Sequence, residues 1–179
     1  MYQRAAEAGD PDAPRQAAEL LKDAGRVHEA IDWLQTRANK TGDVQTLKAA
    51  ARLLERADRV DEAIGMYQRA AEAGDTDALE WAVALLKDAD RAAEAIDWLQ
   101  TRVTEVGDPN ALWLAAKLLE ETGHIEEAVG LYQHAAEAGD ILALAQAQRL
   151  LNQTGRRDEA LRLRQYGLEP GGQIAKEWD

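Results

Sequence analysis

Apolar residues recur along the chain at intervals of three and four, in segments that are separated by short polar turns. In residues 112–122 the apolar positions Leu112, Ala115, Leu118 and Leu119 fall on one face of an α-helix. Four other segments carry the same stripe, with an alanine at one place and a leucine pair at another. These segments predict helices that pack closely, because a small residue lets a second helix approach. The alanines are Ala17, Ala50, Ala82, Ala115 and Ala147.

The stripes belong to an internal repeat. Gly-Asp pairs begin at residues 9, 42, 74, 107 and 139, with successive spacings of 33, 32, 33 and 32. Two alternating versions of this unit combine into a period of 65 residues, so that "MYQRAAEAGD" stands at residues 1 and 66 and "LYQHAAEAGD" at residue 131. The period predicts a stack of similar structural units.

Each unit is predicted to form two antiparallel helices joined by tight turns. Gly25, Gly123 and Gly155 follow the first helix, where a left-handed cap suits glycine, and Asp58 and Asp90 replace glycine in two units. In "AGDPDA" and "VGDPNA" the glycine closes one helix, the aspartate caps the next, and proline suits its first turn.

This pattern resembles the tetratricopeptide repeat, a helix-turn-helix unit that stacks into a right-handed superhelix. The resemblance rests on small residues in the first helix, on the inner-turn glycine, and on Tyr67 and Tyr132, each followed by an alanine three residues on. Trp33 and Trp98 depart from it by standing one residue earlier. The "AAEAGDxxA" turn is also similar to Sel1-like repeats, whose units are usually longer. Either family implies an all-α solenoid.

The predicted organisation has five helix-turn-helix repeats between two irregular ends. Residues 1–10 are expected to be the last part of the second helix of a preceding repeat, so that the chain is the C-terminal part of a longer array or its exposed end is covered by another copy. Gln148 and Arg164 replace small and aromatic residues, as a capping repeat requires. The predicted repeats are residues 11–43, 44–75, 76–108, 109–140 and 141–166, followed by a tail at 167–179.

Composition narrows the possible functions. The formal net charge of −12 argues against nucleic-acid binding, which relies on clustered Lys and Arg. No apolar run is long enough to span a membrane, and the N-terminus lacks a signal-peptide pattern. The expected location is therefore the cytoplasm.

The side chains offer little catalytic chemistry. Cysteine and serine are both absent, and the three histidines show no metal-ligand spacing. There is no glycine-rich phosphate loop. The sequence predicts no enzyme activity, no metal and no cofactor.

The resemblance implies that first-helix residues one turn apart line an inner groove. Trp113, flanked by Lys117, would be an anchor for a peptide there. The alternative is that Trp113 and Trp81 pack against neighbouring helices. The implied groove residues are Arg15, Glu19, Lys48, Arg52, Glu80, Trp113, Lys117 and Arg149.

Three functions are open at this stage. The first is a protein-interaction scaffold or adaptor that binds a protein or peptide along the concave surface, as the sensor part of a larger bacterial protein. The second is a self-associating repeat whose terminal repeats stack into homo-oligomers. The third, an unrecognised enzyme, has only the acidic composition behind it.

Overall fold

A computed structural model describes residues 13–23, 25–137, 139–168 and 174. These residues form ten α-helices, and the chain divides into two compact units, of which Asp90 ends the first and Arg91 begins the second. The predicted half-repeat at residues 1–10 and the tail residue Trp178 lie outside the described residues.

The first unit contains five helices, each packed against the next, and α1 also contacts α3. Its core is built from alanine and branched aliphatic side chains, including Ile31, Leu34, Leu53 and Leu54. The alanines at the predicted close-approach positions are buried there. The helices are α1 Ala13–Asp23, α2 Val27–Thr41, α3 Val44–Arg56, α4 Val60–Glu72 and α5 Thr76–Asp88.

The second unit also contains five helices in consecutive contact. Its core repeats the same composition, with Ala115, Leu119 and Leu151 almost fully buried. After the last helix, Leu168 forms an isolated antiparallel bridge with Ile174. The helices are α6 Ala92–Val106, α7 Pro109–Glu121, α8 Ile125–Glu137, α9 Ile141–Gln153 and α10 Arg157–Tyr166.

The turns follow the predicted chemistry. Asp43, Asp75, Asp108 and Asp140 each accept backbone N–H hydrogen bonds at the start of a first helix. These caps satisfy donors that a helix start would otherwise leave unpaired.

The two aspartates that replace an inner-turn glycine take the backbone conformation predicted for that position. Asp58 and Asp90 have φ values of 58° and 59°, in the left-handed region. Aspartate tolerates this region better than most residues with a Cβ. The left-handed backbone predicted for the inner turn is therefore confirmed at both aspartates.

Four of the five second helices begin differently, after an arginine whose guanidinium pairs with a glutamate three residues on; His124 holds this position before α8. Arg59 Nε donates to Glu62 at 2.6 Å, and Arg91 Nη2 donates to Glu94 at 2.8 Å. The same pairing occurs at Arg26–Glu29 and Arg156–Glu159. A glutamate in the first turn also interacts favourably with the helix dipole.

Candidate functional site

Trp81 is the centre of a cluster of polar and aromatic side chains in the first unit. Lys48 Nζ lies 4.8 Å from the centroid of its ring, and Arg52 Cζ lies 4.8 Å from it. The Tyr67 ring packs edge-on against it, with centroids 5.4 Å apart and an interplanar angle of 60°. Cations within about 6 Å of an indole centroid are attracted by its quadrupole. The half-buried indole is therefore held in one orientation by α3 and α4.

Lys48 is buried, with 7% of its surface exposed. Its ammonium donates to both carboxylate oxygens of Asp75, at 3.0 and 2.8 Å, and to Asp77 at 3.3 Å. Asp75 is also the N-cap of α5. One lysine thus joins α3 to the start of α5 and fixes the helix that carries Trp81.

Two hollows lie along the face formed by α1, α3 and α5. The larger, about 390 Å³, is lined by Arg52, Glu55, Arg56, Tyr67, Trp81, Ala84, Leu85 and Asp88. The smaller, about 180 Å³, is lined by Arg15, Ala18, Glu19, Ala49, Arg52, Leu53 and Arg56. Since Arg52 and Arg56 line both, the hollows are adjacent parts of one surface, which we call the Trp81 face.

Two of the three carboxylates that line the Trp81 face have partners within it; the third carboxylate is Asp88. Glu19 accepts from Arg56 at 3.4 Å, and Glu55 accepts from the Tyr67 hydroxyl at 3.3 Å. Burial, reinforced by the charge of Glu55, raises the pKa of Tyr67 to about 12. The tyrosine therefore stays protonated and donates at neutral pH.

The second unit has its own tryptophan, Trp113 on α7. Its ring meets that of Tyr132 edge-on, with centroids 6.5 Å apart and an angle of 75°. The ammonium of exposed Lys117 lies 5.8 Å from the ring centroid. Burial and the charge of Glu120 raise the pKa of Tyr132 to about 12.

Beside this pair, Arg149 makes a charged contact between two first helices. Its guanidinium donates to Glu120 at 2.6 Å and to Gln146 and Gln153 at 2.8 and 3.1 Å. The contact joins α9 to α7 near Tyr132.

The predicted groove residues take different positions. Arg15, Glu19 and Arg52 line the Trp81 face, whereas Glu80 is exposed on α5 and lines neither hollow. Lys48 is buried beneath Trp81 rather than lining a groove. In the second unit, Lys117 lies over the Trp113 ring.

Sequence reasoning missed Trp81, Tyr67, Glu55 and Arg56 as members of one surface. The available signal was the position of Trp81, which directly follows the predicted groove residue Glu80. Tyr67 was interpreted only as a residue of the repeat pattern.

Within the described part of the chain, no group of three or more His, Asp or Glu side chains is arranged to hold a metal ion. None of the ten helices combines the length and the apolar character that a membrane crossing requires.

Comparisons with known proteins give structural similarity only. No protein-family model and no curated protein sequence matches the chain. YrrB, whose structure is described as that of a TPR protein with an unusual peptide-binding site, is similar at 20% identity over 89% of this chain and 87% of YrrB, with a TM-score of 0.50.

Structures of MamA are similar to the same degree. One matches at 19% identity over 80% of this chain and 88% of its own, with a TM-score of 0.51. MamA from Desulfovibrio magneticus RS-1 matches at 15% identity over 84% and 89%, also with a TM-score of 0.51. The chain therefore has the tetratricopeptide-like fold that its sequence predicted, an all-α solenoid of helical repeats.

Proposed function

We propose that the chain is a protein-interaction module that binds a peptide segment of a partner on the Trp81 face. The segment has acidic side chains and one apolar side chain, which packs against Trp81. The orientation of Trp81 between Arg52 and Tyr67 is the observation that carries this proposal.

An aromatic side chain held in place suits peptide binding. Tryptophan offers a large apolar area at low conformational cost, and such residues dominate the energetics of protein interfaces. Lys48 removes much of the remaining freedom of Trp81 by fixing the start of α5 through Asp75. Little ordering is then required when a ligand arrives.

The arginines of the Trp81 face favour a ligand with carboxylates. Three arginines and three carboxylates line the two hollows, and two of the carboxylates, Glu19 and Glu55, already accept hydrogen bonds from groups of the same face. Arginine suits carboxylate recognition because its planar guanidinium donates two parallel hydrogen bonds. The net charge of −12 opposes an acidic ligand at long range, yet at 0.15 M salt this repulsion is screened beyond about 8 Å.

The similarity of fold to YrrB supports a peptide as the ligand class, because that protein is described as having a peptide-binding site. A solenoid of helical repeats presents an extended surface of the kind that binds extended segments.

Fluorescence anisotropy with labelled peptides of about ten residues tests the proposal, using an acidic peptide with a central leucine. The controls are a lysine-for-acid version and an acidic version with glycine at the centre. We expect binding of the first peptide only. Equal binding of all three, or of none, would contradict the proposal.

Arginine variants locate the ligand on the surface. Arg52→Glu should weaken binding of the acidic peptide by about tenfold or more, which corresponds to about 1.4 kcal/mol. The matched control is Arg157→Glu, a charge reversal at an exposed arginine of α10, which should leave binding unchanged.

A second candidate surface is formed in the second unit by Trp113, Lys117 and Arg149. The position of Lys117 over the Trp113 ring favours it. Trp113→Ala combined with Lys117→Glu should abolish capture of a partner at that surface while helicity by circular dichroism is retained. Unchanged capture would exclude it.

A further inference from the structure

The two hollows of the Trp81 face occupy the same position in successive repeats. The residues of α3 that line the smaller hollow have counterparts on α5, 32 residues later, that line the larger one. The first unit therefore presents one kind of hollow twice, at the repeat spacing. Three of the matched pairs are Ala49 and Trp81, Leu53 and Leu85, and Arg56 and Asp88.

The two hollows differ in the apolar group that the protein supplies. The larger hollow is lined by the indole of Trp81, whereas alanine stands at the equivalent position of the smaller one. The apolar lining of the smaller hollow consists of Ala18, Ala49 and Leu53, each at most 8% exposed. Its volume of about 180 Å³ is about six times the share of one water molecule in the liquid. An aliphatic side chain of a ligand would be removed from water there, against an apolar floor.

The distance between the hollows determines the spacing of the ligand side chains that can fill them. The smaller hollow is lined by α1 and α3, and the larger by α3, α5 and Tyr67 of α4. Their centres are therefore about one helix-to-helix distance apart, which is about 8 to 10 Å.

A polyproline II segment matches this distance, because residues three apart lie on the same side of it, at a separation of about 9 Å. A β-strand instead places residues of one face about 7 Å or about 14 Å apart. Grooves lined by aromatic side chains are also known binding sites for polyproline II segments. The geometry thus favours this backbone over a strand.

We infer that the peptide on the Trp81 face has a polyproline II backbone and a second apolar side chain, which lies in the smaller hollow. The second side chain is three residues from the one that packs against Trp81. This inference rests on the proposed function, since it extends the same ligand by one contact.

The residues between the two apolar side chains would cross the arginines that both hollows share. Arg52 and Arg56 lie one helical turn apart on α3 and line both hollows. The ion pair of Arg56 with Glu19 spans 3.4 Å between exposed side chains, and such pairs contribute little to stability. A ligand carboxylate between the two apolar residues can therefore replace Glu19 as the partner of Arg56.

Fluorescence anisotropy with acidic peptides of equal length and net charge tests the spacing. The reference peptide has one leucine, and the others have a second leucine two, three, four or seven positions away. Seven is the spacing that a helical ligand would require. We expect the spacing of three to strengthen binding about tenfold over the reference, and the other spacings to strengthen it by no more than about twofold.

A protein variant locates the second contact. In Ala49→Leu the added side chain fills the smaller hollow, so the advantage of the spacing of three should disappear while the reference peptide binds as before. The matched control is Ala93→Leu, which adds the same side chain at an exposed alanine of α6 and should keep the tenfold advantage.

A measurement on the wild-type protein avoids any effect of Ala49→Leu on folding. Leu53 lines only the smaller hollow and Leu85 only the larger one. In ¹³C NMR, the methyl signals of Leu85 should shift with both peptides, and those of Leu53 only with the peptide that has the spacing of three.

The outcomes separate this inference from the proposed function. If the reference peptide binds but the spacing of three brings no advantage, or another spacing brings an equal one, the second contact is wrong and the proposed function stands. An advantage that persists in Ala49→Leu, or Leu53 signals that do not move, would also overturn the second contact. Failure of every peptide to bind would contradict both.

Discussion

Trp81 and Trp113 differ in how firmly the rest of the molecule holds them. Two cations lie 4.8 Å from the Trp81 ring centroid, and one of them is the buried Lys48. Trp113 has one cation, the exposed Lys117, at 5.8 Å. Both rings meet a tyrosine edge-on, at 5.4 and 6.5 Å.

The tyrosines themselves are copies of one another, since Tyr67 and Tyr132 stand 65 residues apart in the repeated decapeptide. Their tryptophan partners are not. Trp81 lies on the helix that follows its tyrosine, and Trp113 on the helix that precedes it. Two nearly identical tyrosine segments thus contact tryptophans on different neighbouring helices. Only Trp81 lies on a helix whose start is fixed by an ion pair with a buried lysine.

The largest expected difference concerns the two lysines. Lys48→Met leaves the carboxylate of Asp75 without its ammonium partner and should lower the free energy of unfolding by about 3 kcal/mol. Lys117→Met, the matched change over Trp113, should alter it by no more than about 0.5 kcal/mol. Urea unfolding followed by circular dichroism measures both, and equal effects would remove the distinction between the two tryptophans.

Replacing each indole by a phenyl ring should give a smaller difference in unfolding free energy between the two tryptophan positions. Trp81→Phe leaves a cavity and weakens the attraction of two cations, which should cost about 1.5 kcal/mol. Trp113→Phe should cost about 0.5 kcal/mol, because its single cation is exposed. A larger loss from Trp113→Phe, in the same unfolding experiment, would mean that Trp113 is the better-fixed ring.

The second unit has a half-buried cation, Arg102, in a different place. Arg102 donates to the α7 N-cap Asp108 at 2.7 Å and lies 5.8 Å from the Trp98 ring. Burial alone would raise the pKa of Asp108, but the hydrogen bonds from Arg102 and two backbone N–H groups outweigh it and lower the pKa below its usual value.

A lowered pKa stabilises the fold above the unfolded-state value of about 3.9, and this contribution is lost as the pH falls through the folded-state value. The Asp108→Asn variant should therefore be less stable than wild type at neutral pH. Between about pH 5 and about pH 2 it should lose less of its stability than wild type does. Thermal unfolding across this range checks the result, and parallel curves for wild type and variant would contradict it.

The smallest expected effect, the late titration of a buried tyrosine, should be the same in the two units. Tyr67 and Tyr132 both have a pKa raised to about 12. Since the protonated form is favoured in the folded state, the resulting stabilisation is complete below about pH 10 and is lost as the pH rises towards 12. Titration of the tyrosine absorbance should show two side chains that ionise near pH 12. One of these two steps should be absent in Tyr67→Phe and the other in Tyr132→Phe.

Sequence periodicity was sufficient to predict the fold because each repeat carries its own signals. The left-handed backbone at Asp58 and Asp90 and the caps at Asp75 and Asp108 follow from residues within one turn of each other. Such local chemistry is the same wherever the helices are finally placed.

The candidate site was less predictable because its contacts cross from one repeat to the next. Lys48 and Asp75 are 27 residues apart, and whether the lysine turns inward depends on the carboxylate and the indole that α5 presents. Family resemblance placed Lys48 in the groove from its repeat position alone. Periodicity does not predict that a charged residue such as Lys48 will contact an aromatic residue of the next repeat, here Trp81.

The most direct test of the proposed Trp81 face follows the indole N–H resonances of the five tryptophans by ¹⁵N NMR. Trp81→Phe and Trp113→Phe assign the two relevant signals, and the acidic peptide with a central leucine is then titrated in. We expect a progressive shift of the Trp81 signal while that of Trp113 stays in place. A shift of Trp113 alone, or of neither, would contradict the assignment of peptide binding to the Trp81 face.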